Sequence, residues 1–222
     1  MFLETFAATS VWLASTQAAP PSWCAPARPP VIHVGLVAPR PTSDFSKTMK
    51  DLKKFHIDTK NPYGAHVDTH VGGLTAGTIK VEQKMTLGGA RKGDYGCLWV
   101  DDVHVTVRLD QRVYIAKDYA PGTCLHNAVW DHEHKHVRVD REMINAYRPV
   151  FETALRNAAV VRMVHGPVAV GSVTATQDKM MDQLRQVVAQ VTAQMEAERD
   201  KRQGAVDTRA EYDRVSALCK GR

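Results

Sequence analysis

The sequence predicts an α+β protein in which a small antiparallel sheet precedes a long antiparallel helical hairpin. Three observations predict it. Residues 78–87 alternate, with Ile79, Val81, Met85 and Leu87 on one face, the period of a half-buried strand. Residues 97–107 and 112–116 are rich in Val, Tyr and Ile, which favours further strands. From about residue 125 the apolar period becomes helical and stays so, apart from the stop at His165, Gly166 and Pro167.

The elements follow in order. Residues 1–19 are apolar and small, with a small-residue cleavage site at 16–19, and read as a candidate signal segment. It is atypical, because it carries Glu4 and has no Lys or Arg before Arg28. Residues 20–30 form a proline-rich linker, and residues 31–219 a single domain, mainly sheet over 31–124 and mainly helical over 125–219. Residues 31–37 make a short strand. Residues 43–55 place Phe45, Met49, Leu52 and Phe55 at helical spacing behind Ser43 as a cap. Residues 61–77 are loop-like, with Pro62 and four glycines. A glycine-rich turn over 88–93 leads into a hairpin of strands 97–107 and 112–116, turning at Asp110 and Gln111. The first long helix, 125–163, contains Pro149, expected to kink it near Asn145. The second, 176–201, carries Met181, Leu184, Val188, Val191 and Met195 at steps of three and four, a stripe for packing along another helix.

Composition narrows the function. The chain has 222 residues and a net charge of +5. Its basic residues are scattered, without the arm or aromatic-studded strand that binds nucleic acid. No apolar tract is long enough for a membrane span. The four cysteines suit an oxidising compartment, periplasmic or secreted. In a hairpin turning at Asp110 and Gln111, Cys97 falls opposite Cys124, which suggests that disulfide and leaves Cys24 to pair with Cys219. No C-x-x-C spacing marks a cysteine metal site.

The chemistry concentrates in His132-Glu133-His134-Lys135-His136. Residues four apart share one face of a helix, so His132 and His136 can offer two imidazole nitrogens to one metal ion. Glu133, one position along, suits a general base acting on a zinc-bound water, whose pKa the metal lowers to about 7. Both histidines lie on the stripe of Val129, Met143, Tyr147, Val150 and Ala154, which faces the partner helix. Buried imidazoles need partners, and a metal supplies them. A helical hairpin centred near Val168 would bring positions near Asp200 opposite His136. Glu198, an acidic residue where the second stripe calls for an apolar one, is then the candidate third ligand, with Glu196, Asp200 and Asp207 as competitors. Asp140, four residues after His136, is expected to hydrogen-bond that imidazole. His134 points to another face. His66, His104 and His126 read as structural, and His70 is an alternative ligand or oxyanion stabiliser.

The run Gly122-Thr123-Cys124, Asn127-Ala128-Val129 and His132-Glu133-x-x-His136-Val137-x-Val139-Asp140-Arg141 resembles the predicted secreted zinc-dependent proteases of bacteria. Val113-Tyr114-Ile115-Ala116 and Asp207-Thr208-x-x-Glu211-Tyr212 are similar to that group as well. The resemblance spans roughly residues 70–219, and only the zinc motif is chemically specific. It implies a zincin-like fold, export, one Zn2+ per chain, His132 and His136 as ligands, Glu133 as base, and hydrolysis of peptide bonds. A peptide or protein substrate would lie extended beside an edge strand, expected within the cysteine hairpin. Two other readings stay open: a zinc-binding envelope protein without catalysis, and a helical-hairpin interaction module. So does a different acyl bond as substrate, such as one in peptidoglycan.

Overall fold

The computed structural model describes residues 20–55, 63–64 and 70–220. The candidate signal segment and His66 lie outside these. The elements are β1 (Val31–Val37), β2 (Thr42–Asp44), α1 (Met49–Leu52), β3 (Gly73–Lys92), β4 (Tyr95–Ile115), α2 (Cys124–Asn157), α3 (Ala159–Arg162), β5 (His165–Ala169), α4 (Val173–Val206) and α5 (Arg209–Ala217). The class is α+β, as expected, but the five-stranded sheet is mixed.

β4 is its axis. β3 pairs antiparallel along nearly the whole of β4, from Gly73 opposite Ile115 to Lys92 opposite Tyr95. Because β3 occupies one edge of β4, the other strands share the opposite edge. β5 pairs antiparallel at Tyr95–Leu98, β1 parallel at residues 102–108, and β2 parallel at residues 112–114. The strand that carries Cys97 is therefore central, where a cysteine edge strand was expected; β3 forms one edge, and β5, β1 and β2 follow one another along the other.

Three local readings change. The hairpin turns at Gly93, whose φ of 59° only glycine adopts readily, and β4 runs straight through Asp110 and Gln111. Asp110 stays in the strand on the exposed side, paired with Arg108 at 2.7 Å. With the turn moved, Cys97 stands opposite Ala90 and cannot reach Cys124. The disulfides are Cys24–Cys97 and Cys124–Cys219, so both expected pairings are corrected. Cys24 is fully buried, and its disulfide anchors the proline-rich segment to β4. The helix expected over 43–55 shrinks to α1, capped by Thr48 through a reciprocal box with Asp51, while Ser43 lies in β2.

Both long helices form. α2 continues through Pro149 to Asn157. On α4 the buried stripe is Met180, Leu184, Val188, Val191 and Met195, one position earlier at its start than the expected Met181. These residues meet Met143, Ile144, Phe151 and Leu155 of α2, and Leu98, Val100, Val103, Val105, Val107 and Leu109 of β4, in one core. The hairpin thus covers the inner face of the sheet. At one end of the outer face, α1 covers Tyr114 with Leu52. Among the described residues no helix is long and apolar enough to cross a membrane. Two disulfides fit an extracytoplasmic protein.

Candidate metal centre

α2 buries two adjacent rows, and the site lies where they meet. Val129, Glu133 and Val137, four apart, face the sheet: Val129 and Val137 pack with Val113 and Ile115 of β4. His132, His136 and Asp140 form the neighbouring row, facing the end of α4. All six are buried.

The third residue is Asp207, which follows the last residue of α4. Its Oδ1 lies 3.2 Å from His132 Nε2 and 3.1 Å from His136 Nε2. The two rings stand nearly perpendicular, 5.0 Å apart between centroids. The buried trio of His132, His136 and Asp207 could hold a metal ion.

The protons on the rings can be assigned from their other nitrogens. His136 Nδ1 is 2.5 Å from the Gln203 side-chain oxygen, and His132 Nδ1 is 3.4 Å from a carboxylate oxygen of Glu211. Both partners accept, so each Nδ1 donates and, in a neutral ring, each Nε2 keeps its lone pair. Two lone pairs and a carboxylate oxygen then converge on one point. Only a cation or extra protons relieve that arrangement, and imidazole with carboxylate is a donor set that suits zinc. In the metal-free chain a proton does the work. Burial opposes charge on His136, but the hydrogen bond to Asp207 and the charges of Glu133 and Asp207 outweigh it and raise its pKa to about 9.

Supporting groups hold the ligands. Gln203 Nε2 donates to the His136 carbonyl at 3.2 Å and to Asp140 Oδ1 at 2.6 Å. Asp140, fully buried, also receives Arg199 Nε at 2.7 Å and Gln111 Nε2 at 3.2 Å. It therefore orients His136 through Gln203, one bond further away than expected. Glu211 is anchored by Lys135 at 2.6 Å and by Arg214. Mainly through the Arg214 bond, its carboxyl is held down to about 2 despite burial. α5 also brings Tyr212, whose ring edge meets His132 at 5.6 Å and whose hydroxyl hydrogen-bonds Asp207. Burial and the Asp207 and Glu133 charges push that phenol up. The Cys124–Cys219 disulfide ties α5 to the start of α2.

Glu133 takes its position from β3. Thr75 Oγ1 donates to Glu133 Oε2 at 2.8 Å, and Gly73 and Gly77 flank Thr75 on the same face of the strand. A Cβ at Gly73 would sit 2.8 Å from Glu133 Oε1, and one at Gly77 would run into Asp140 and lie 2.9 Å from Arg199. Those glycines, read as loop from sequence, let the strand approach the helix. Burial raises the Glu133 pKa above the usual carboxylate range, against the lowering effect of His136, His132 and Thr75.

Glu198 does not join this group. It lies on α4 paired with Arg202 at 2.8 Å, and Glu196 and Asp200 are exposed. His70 is exposed. His134 lies off the ligand face, its ring tilted by 39° against Trp130 with centroids 4.1 Å apart, and the His126 ring lies nearly parallel to Trp130 at 6.5 Å. Asp207 entered the sequence reading only as a competitor of Glu198, and Gln203, Glu211 and Tyr212 are site residues to which it assigned no role. One signal was present: Thr208-x-x-Glu211 is a helix-start pattern, and Thr208 does cap α5 through Glu211 N. It marks Asp207 as lying at the junction of two helices, where its side chain meets His132 and His136. No family model, curated protein or solved structure matches the chain.

Proposed function

We propose that the protein is a zinc-dependent peptidase of the bacterial envelope or extracellular space, with His132, His136 and Asp207 as ligands and Glu133 as general base. The observation that carries this reading is that two imidazole Nε2 atoms each lie within 3.2 Å of one carboxylate oxygen, on a helix that also buries a glutamate. The resemblance of the motif region to predicted secreted zinc-dependent proteases points the same way, as do the two disulfides.

A divalent ion there would supply Lewis acidity and a nucleophilic water near neutral pH. Glu133 would take a proton from that water and return it to the leaving amine, a task suited to a carboxyl raised towards neutrality. Tyr212, whose hydroxyl hydrogen-bonds Asp207, would donate to the developing oxyanion on turning away from that carboxylate. β3 pairs only with β4 among the described strands and starts at Gly73, next to Glu133, so its outer edge offers main-chain groups to an extended peptide.

The test is hydrolysis of an unfolded protein substrate by tag-free, zinc-loaded chain, with metal content measured alongside. Glu133→Gln is expected to keep the zinc held by His132, His136 and Asp207 and lose hydrolysis; Tyr212→Phe should keep that zinc and lose about 100-fold or more in kcat. Full activity in Glu133→Gln would remove the assigned base.

A further inference from the structure

The outer face of the sheet carries a second constellation of ligand-bearing residues. β1 runs parallel to β4 with His33 directly opposite His104. Their rings stack with centroids 4.5 Å apart and planes 19° from parallel. Asp102, two residues before His104, emerges on the same face by strand alternation. One ligand atom from each of His33, Asp102 and His104 lies within 4.8 Å of the others. The inward-facing neighbours Val103 and Val105 are buried in the core, so this group and the centre on α2 occupy opposite faces of the sheet.

We propose that His33, Asp102 and His104 form a second metal site, open to solvent, for a transition ion such as Zn2+, Ni2+ or Cu2+. Two imidazoles and one carboxylate favour those ions over the oxygen-seeking Mg2+ and Ca2+. The backbone holds the donors together before any ion arrives, because sheet register sets their spacing. The Cys24–Cys97 disulfide also ties the segment before β1 to β4. Two cations stand nearby: Arg28, 3.6 Å from Asp102, and Lys84, opposite His104 on β3. The Arg28 side chain is 63% exposed, and both are long and flexible enough to turn into solvent when an ion binds. Three protein donors leave coordination positions for water or an incoming ligand.

The probe is Ni2+ alone, titrated into tag-free full-length chain with bound metal counted. Wild type is expected to hold two equivalents, His33→Asn/His104→Asn one, and His132→Ala/His136→Ala one. In the last variant Ni2+ should also raise the unfolding temperature, because the site bridges two strands only when folded. Adding the His33 and His104 changes should abolish that rise. Two equivalents persisting in His33→Asn/His104→Asn would overturn the proposal. So would one equivalent in wild type that His132→Ala/His136→Ala removes. Since His33 and His104 are exposed, their replacement leaves the core intact. A single equivalent in wild type that His33→Asn/His104→Asn removes and His132→Ala/His136→Ala keeps would refute the α2 centre instead, so the two failures are told apart.

Discussion

Gln203→Ala separates the support of the metal ligands from the support of the fold. The side chain is 8% exposed and makes three hydrogen bonds: from His136 Nδ1, to the His136 carbonyl, and to Asp140. Loss of a group that orients a ligating imidazole costs about 10–100-fold in metal affinity. That factor corresponds to about 1.4–2.7 kcal/mol. The metal-free chain should lose stability as well, by about 1.5–3 kcal/mol for one hydrogen bond to the buried Asp140 carboxylate. Arg199 and Gln111 remain on Asp140, so the loss stops short of leaving that charge unpaired. Gln203→Glu keeps an acceptor for His136 but replaces the donor to Asp140 with a second carboxylate. It should therefore retain most of the zinc affinity while losing more stability than Gln203→Ala. Zinc competition against a chromophoric chelator, beside urea unfolding of the metal-free chains, reads both quantities. If Gln203→Ala bound zinc within twofold of wild type while losing stability, the assignment of the His136 proton to Nδ1 would be wrong.

Asp207→Ala should weaken zinc binding by more than about 100-fold, beyond the effect of any supporting residue, while Glu198→Ala should leave it unchanged. The reverse pattern would restore the third ligand to α4. The raised pKa of His136, about 9, means that zinc uptake at neutral pH displaces a proton. Calorimetry in buffers of different ionisation enthalpy should therefore show proton release that fades above pH 9. The sign for stability follows. A histidine raised above its ordinary 6.5 stabilises the metal-free fold fully below that pH and ceases to do so as pH rises through about 9. Urea midpoints of the metal-free chain should fall across that window. Replacing Cys124 and Cys219 by serine should cost about 3–5 kcal/mol, given the 95 residues they span, and should weaken zinc binding through the freed Glu211. Unaltered zinc affinity in that variant would mean that α5 docks without its tether.

What could be read from sequence was what local geometry determines. His132, Glu133 and His136 lie within one turn and a half of a single helix, so their spacing alone puts two imidazoles together and the carboxyl beside them. The alternation of residues 78–87 and the α4 stripe were legible for the same reason. Asp207 was not, because its place depends on how one helix slides along another. An assumed hairpin centre near Val168 set position 200 opposite His136, whereas β5 and the short helical turn Val170–Ser172 lengthen the connection and bring Gln203 there. That shift of three residues sets Asp207 opposite His132, just past the end of α4 and nine residues beyond Glu198. The cysteine pairing failed on another nonlocal point. Asp110 and Gln111 look like a turn, yet Gln111 is a buried strand residue whose amide reaches Asp140. Gly73 and Gly77 looked like loop, and their purpose became visible only with Glu133 and Asp140 packed against them.

The charges around the centre bear on whether a metal there would be structural or reactive. Asp140 has Arg199, and Glu211 has Lys135 and Arg214, so these two carboxylates are balanced locally and can serve as fixed acceptors. Asp207 and Glu133 are the carboxylates whose charges bear on the imidazoles. A histidinium on His136 balances only one of them, whereas a divalent ion balances both, which favours the loaded state in a buried site. A structural zinc is closed by four protein ligands. Among the described residues the cluster of converging donors numbers three, and the Glu133 carboxyl is hydrogen-bonded to Thr75 of β3. That division, with three donors converging on one point and a further carboxyl on the helix of the two imidazoles held beside them by a separate strand, is what a water-activating centre would require. It is the reason to prefer hydrolysis over a purely structural zinc, and the retained zinc expected in Glu133→Gln tests the same division.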